Sequence, residues 1–377
     1  MEVFRHIEYA KAERFKDPVL LPFSEGENKA IPSACPQRPF RLGFLMGERE
    51  YCDLSEDCLT LNIWTPSKIG KYPVLVWIHG GAYVAGTGEE AAYNGAALCE
   101  QGEIVVVTVS YRLGVFGYLY DAENGMDNLG LKDQTMALRW VKENIGRFGG
   151  DPNNITVAGQ PAGGHSVAAI LSSCKDSLFK KAIIQSAPLR MKASRNDGES
   201  LLKRVRKAAT KPLEEMTMDE LLDVQKTVLS QSRSLMPFSP VEPDFSGKVT
   251  VPSLEKVLVT WQKDDASPFV AMKLGHEERF GSVIDRIVTM FASNVVFGTP
   301  AKKYVKALQN AGVRAEAYCL DWRPKGSPFG ACHCLELTLL FGSWERWKEA
   351  RILGRISRDE WEKKGVALRA KWISFVQ

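Results

Sequence analysis

"VAGQPAGGHS", residues 157–166, joins two unlike segments through a glycine-rich corner. Before it, "NITVAG" (154–159) is apolar and rich in β-branched residues, the composition of a buried strand. After it, "AGGHSVAAILSSC" (162–174) is dense in small residues and reads as a helix. Gly159 and Gly163 flank the corner, and glycine lets two backbone segments approach closely as the chain reverses. Pro161 stands at its centre. A strand that turns sharply into a helix is the repeating unit of a parallel α/β sheet.

Working outward, the same alternation recurs. "KYPVLVWIHGG" (71–81) and "GEIVVVTVSYRLG" (102–114) are near-continuous apolar runs ended by glycine, as expected of strands covered on both faces. "DNLGLKDQTMALRWVKENIGRFGG" (127–150) places Leu131, Ala137, Leu138, Val141 and Ile145 near helical spacing before a glycine stop. "LFKKAIIQSA" (178–187) is a further strand, and "SPFVAMKLG" (267–275) and "VRAEAYCLDW" (313–322) read as later ones. The order predicts a doubly wound, mostly parallel sheet. Residues 190–235 turn charged and helical, with Leu201, Leu202, Val205 and Ala208 on one face and a capping-box pattern from Thr217 to Glu220. We expect one α/β domain over 1–377, with 190–235 a helical insertion over the active-site edge of the sheet. It forms either a pocket wall or a plain amphipathic surface pair. From residue 343 the chain ends as amphipathic helix.

Composition narrows the function classes. Of 377 residues, 45% are hydrophobic and 25% charged, ordinary for a globular chain, and the net charge of +4 comes from interleaved signs. Neither a nucleic-acid surface nor a membrane arm is expected, and no apolar run reaches the ~18 residues of a membrane span. "MEVFRHIEYAKAERF" lacks the apolar centre of a secretory signal, so a cytoplasmic location is expected. The eight cysteines suit no disulfide framework. In "CHC" (332–334) neighbouring extended residues point to opposite faces and cannot close around one ion, so no metal is expected.

Five further stretches carry a resemblance. "EDCLTLNIWTP" (56–66), "VWIHGGAYVAGTG" (76–88), "VSYRLGVFGYL" (109–119), "NLGLKDQTMALRWVKENIGRFGGDPNNITVAG" (128–159) and "FGACHCLELTLLFG" (329–342) occur in this order. Together they closely resemble the type-B carboxylesterases, the α/β-hydrolase branch that also contains the cholinesterases and the non-catalytic neuroligins. The resemblance runs from about Phe4 to Phe375. It implies an α/β-hydrolase fold, an ester- or acyl-like small-molecule ligand, and no metal or organic cofactor. It also implies a serine–histidine–glutamate relay in the chain order Ser…Glu…His. Gly80 and Gly81 match the oxyanion-hole glycines, Ala162 the third backbone donor, and His333 the catalytic histidine. For the acid, the loop "KLGHEERF" offers Glu277 and Glu278. Adjacent extended residues face opposite ways, so one can meet His333 while the other turns to solvent or Arg279. Glu278 is favoured by its spacing to Phe280.

The departure lies at the corner. Where the resemblance implies Gly-x-Ser-x-Gly, residues 159–163 read Gly-Gln-Pro-Ala-Gly. Proline supplies no nucleophile, and its ring fixes φ near −65°, whereas the elbow residue normally holds a strained positive φ. The turn is expected to relax and the Ala162 N–H to be displaced. No neighbouring residue offers a persuasive substitute. Ser166 and His165 on the following helix read as packed residues, and Cys332 as a small buried hydrophobe. Three readings follow: altered acid/base chemistry with His333 as general base, a pseudo-esterase that binds a ligand or partner, or a recently inactivated paralogue.

Overall fold

The computed structural model describes residues 1–24, 31–39, 41–47, 52–232 and 234–377; residue 233 of the expected insertion lies outside them. Eight strands form the central sheet: β1 (Glu2–Glu8), β2 (Thr60–Thr65), β3 (Tyr72–Ile78), β4 (Val105–Val109), β5 (Gly150–Gly159), β6 (Lys181–Gln185), β7 (Lys256–Gln262) and β8 (Arg314–Leu320). Their spatial order is β1-β2-β4-β3-β5-β6-β7-β8. β2 pairs antiparallel with both β1 and β4, and every pairing from β4 through β8 is parallel. The doubly wound, mostly parallel sheet expected from the sequence is therefore present.

The apolar runs behave as their composition demands. In β4 all five residues are buried, and in β3 all from Val74 to Ile78. The helices that cover the sheet include α1 (Ala96–Gly102), α2 (Leu129–Asn144), α3 (Ala162–Ser173), α4 (Arg195–Ala208), α5 (Met218–Ser230), α6 (Ser267–Leu274), α7 (Val283–Ser293), α8 (Thr299–Asn310) and α9 (Arg358–Val376). α4 and α5 are the helices expected within 190–235. Each opens on a reciprocal capping box, Ser194 with Asp197 and Thr217 with Glu220, which satisfies two otherwise orphaned N–H groups.

One expected strand is a helix. Residues 267–274 form α6, with Pro268 in its first turn and Gly275 in the left-handed conformation that ends it. Proline lacks the N–H that an interior strand must donate, but it suits a helix start, where that N–H would be orphaned. The strand in this part of the chain lies earlier, at β7, where "VLVTWQ" is buried throughout.

Candidate active site

The corner after β5 is built on backbone contact. A Cβ added to Gly163 would lie 1.9 Å from the Ile78 carbonyl oxygen at the end of β3, and one on Gly159 would lie 2.4 Å from the Gly163 carbonyl carbon. Only glycine lets α3 begin this close to two strands. Between them Pro161 adopts φ −74° and ψ −41°, and its carbonyl accepts the His165 N–H at 2.9 Å. The corner residue is thus already helical, with none of the positive φ of a strained elbow.

The Gly-Gly loop lies against this corner. A Cβ on Gly80 would meet Pro161 Cδ at 2.2 Å and the Gln160 carbonyl oxygen at 2.3 Å. Gly81 has φ +114°, and Ala82 and Tyr83 also have positive φ, so three successive residues lie outside the usual right-handed regions. Backbone this strained persists only where its surroundings hold it, and such places cluster at functional sites. Here the Val84 and Ala85 N–H groups both donate to the Gly81 carbonyl, and Tyr111 Oη donates to that of His79.

His333 is buried, and its Nδ1 lies 2.6 Å from Asp265 Oδ1. The Asp265 carboxylate is itself fixed, with Oδ2 accepting from Ser186 Oγ at 2.7 Å and from the Gln262 N–H at 2.9 Å. Burial alone would lower the basicity of the imidazole. The flanking Cys334 thiol and the Asp265 carboxylate outweigh it, and the His333 pKa lies well above its ordinary value. Phe269 and Phe297 pack on the ring at centroid distances of 4.9 and 5.5 Å. Glu336 is also buried close by. Desolvation, reinforced by the Asp265 charge, raises its pKa to about 7, while Oε2 accepts from Gln262 Nε2 at 2.5 Å.

The expected acid therefore requires correction. Glu278 is exposed and pairs with Arg351 at 3.0 Å, and the backbone carbonyl of Glu277 accepts from the same arginine. Because 267–274 is helix, the Glu277–Glu278 loop ends a helix and not a strand. The carboxylate on His333 comes from the loop after β7. The expected division of labour between neighbouring acids holds for a different pair: Asp265 meets His333, while Asp264 turns to Arg323 at 2.7 Å. The signal was the buried run "VLVTWQ" ending directly in Lys-Asp-Asp.

Gly80, Gly81, Gln160, Pro161 and His333 share the wall of one cavity of about 890 Å³. α5 supplies Gln225 and Leu229 to the same wall, and α6 supplies Phe269 and Met272. Ala162 is fully buried as the first residue of α3 and is not among the lining residues. His165 is fully buried, with Nδ1 2.7 Å from Tyr83 Oη and Nε2 2.8 Å from the Met191 carbonyl; burial lowers its pKa to about 4. Ser166 Oγ donates to the same Tyr83 hydroxyl. Both are packed, as expected. Among the described residues no group of three His, Cys, Asp or Glu side chains is placed to hold a metal ion, and no helix is long and apolar enough to cross a membrane.

A strand order of 1-2-4-3-5-6-7-8 with a histidine–carboxylate pair and a Gly-Gly loop at the C-terminal ends of the strands defines an α/β-hydrolase. More narrowly, the chain belongs to the carboxylesterase family, whose model matches residues 1–283. It is 34% identical to a probable N-octanoylanthranilate hydrolase, AqdA2, of Rhodococcus erythropolis, over 99% of this chain and 88% of that protein. It is 32% identical to the para-nitrobenzyl esterase of Bacillus subtilis (strain 168), over 92% of this chain and 79% of the relative. A solved PNB esterase superposes with a TM-score of 0.84 at 28% identity, over 99% of this chain and 86% of the other.

Proposed function

We propose that the cavity binds an ester- or acyl-like small molecule and hydrolyses it without a serine acyl-enzyme. His333 moves the proton, Asp265 holds its tautomer, and the backbone of Gly80 and Gly81 receives the developing oxyanion. The observation that carries this reading is the 2.6 Å contact between two buried groups, His333 Nδ1 and Asp265 Oδ1, beside the Gly-Gly loop. With Nδ1–H donated to the carboxylate, Nε2 is the nitrogen left to exchange a proton, and the carboxylate favours the imidazolium, in line with the raised His333 pKa. N–H groups already aimed at the reacting carbonyl need no reorganisation as charge builds. Pro161 removes the hydroxyl that family resemblance places there. Loss of a catalytic serine in a comparable hydrolase costs about 10⁶ in turnover. The apolar contributions of Leu229, Phe269 and Met272 suit the acyl or alcohol part of such a ligand.

The test is turnover of a short p-nitrophenyl ester by the native protein, His333→Ala and Pro161→Ser. Slow native hydrolysis that falls at least ~100-fold in His333→Ala is expected, with a gain in Pro161→Ser that also depends on His333. Equal rates for the native protein and His333→Ala would overturn the proposal and leave a pocket that only holds its ligand.

A further inference from the structure

One reactive side chain in the cavity wall has no part in that scheme. Cys334 follows His333 directly, lines the same cavity and is a free thiol. Its backbone is held at φ +70°, a conformation uncommon outside glycine. Gln160, the residue before Pro161, holds its sulfur through both ends of the amide, donating Nε2–H to Sγ at 3.3 Å and accepting from it through Oε1 at 3.8 Å, and His333, its neighbour in the chain, lines the same cavity. The other cysteine of this segment, Cys332, is fully buried and is not a lining residue.

We propose that Cys334 is the nucleophile of this site, so that a Cys334–His333–Asp265 relay replaces the one lost at position 161. This rests on the hydrolytic reading above. The thiolate is the reactive form of cysteine, and the Gln160 amide N–H donates to this sulfur. His333 Nε2 takes the thiol proton, and Sγ forms a bond to the ester carbonyl carbon. The carbonyl π pair moves onto oxygen, facing the Gly80–Gly81 backbone. Collapse re-forms the carbonyl and breaks the bond to the alcohol oxygen, which leaves with the proton from His333. The product is a thioester on Cys334. Water then attacks it, giving its proton to His333, and Sγ departs as the leaving group and is reprotonated. Overall, ester and water give acid and alcohol, with nothing oxidised or reduced.

The mechanism departs from serine chemistry in a measurable way, because a thioester is cleaved by neutral hydroxylamine far faster than an oxygen ester. The native protein is mixed with p-nitrophenyl acetate, quenched in acid and weighed intact, then digested to locate the label. One acetyl group on the peptide containing Cys334, released by hydroxylamine, is expected. Cys334→Gly removes the thiol and suits the local φ of +70°, so this variant should fold. Its ester turnover should fall on the order of 10³-fold or more, with an unchanged melting temperature as the folding control.

Native turnover in Cys334→Gly, with loss in His333→Ala, would overturn the thiol assignment and leave the general-base reading standing. Native turnover in both variants would overturn both. Should Cys334→Gly fail to fold, the labelling of the native protein decides. Label elsewhere, or no label and no turnover, overturns the proposal.

Discussion

Replacing Glu336 by glutamine should reverse part of the protein's dependence on pH. The carboxyl group is fully buried beside the Asp265 charge, and its pKa is raised from 4.5 to about 7. In the unfolded chain it ionises near 4.3. Between those values the folded state holds a proton that the unfolded state has released. Stability contributed at this position is therefore complete below about pH 4, falls as pH rises, and is fully lost above about pH 7. At 1.36 kcal/mol per pH unit the total is about 4 kcal/mol, of which about 3 kcal/mol falls between pH 4.5 and pH 8. Glutamine does not titrate, and its amide oxygen can still accept from Gln262 Nε2. Glu336 Oε1 has no hydrogen-bond partner among the described residues, so the amide nitrogen of the variant is also left unpaired. That penalty is the same at every pH and cancels in a comparison of two. Urea unfolding of the native protein and Glu336→Gln at pH 4.5 and pH 8 gives the required difference. The variant should gain about 3 kcal/mol on the native protein between the two conditions. An equal stability difference at both values would refute the reasoning, since it would mean that Glu336 ionises in the fold as it does in water.

Two further predictions concern the frame of the site. Arg112 and Asp133 are a buried pair, joined Nη2 to Oδ1 at 2.6 Å and Nε to Oδ2 at 2.8 Å, so Asp133→Asn leaves an uncompensated buried guanidinium and should cost about 3–5 kcal/mol in chemical unfolding; a loss under about 1 kcal/mol would contradict it. Gly163→Ala drives a methyl group to 1.9 Å from the Ile78 carbonyl oxygen and should abolish soluble folded protein or depress its melting temperature sharply, whereas Gly146→Ala, with nothing within 4 Å of the new Cβ, should leave that temperature unchanged or slightly raised.

Much of the fold could be read from the sequence because β-branched runs and glycine stops are local signals. β3, β4, β5, β6 and β8, the long helix after the fourth strand and the Thr217–Glu220 capping box fall where pattern places them. The failures are also local in origin. "SPFVAMKLG" is as apolar as a strand, and only the proline in its second position argues for the helix it forms. Read as a strand, that run places the acid at Glu278, whereas the strand that the acid follows is β7. Cys334 was invisible for another reason. Its side chain gains meaning only from Gln160 and the cavity wall, which lie far away in sequence and converge through the sheet order.

The two adjacent aspartates fasten the histidine loop at two points, Asp264 accepting the Ala331 N–H at 2.9 Å and Asp265 holding His333. Asp265 also closes the hydrogen bonds of Ser186 and of the backbone at Gln262. Asp265 and His333 are thus members of the fold's own polar framework, and deleting Asp265 would strand the buried donors of His333, Ser186 and Gln262, while deleting His333 would strand a buried carboxylate oxygen, each at a cost to folding. A lineage carrying this sequence has a thermodynamic reason to retain Asp265 and His333 that is independent of any ester. Position 161 lies outside that framework, since its carbonyl begins α3 whatever the side chain. A substitution at 161 can therefore change the chemistry of the corner without touching the hydrogen bonds that hold Asp265 and His333.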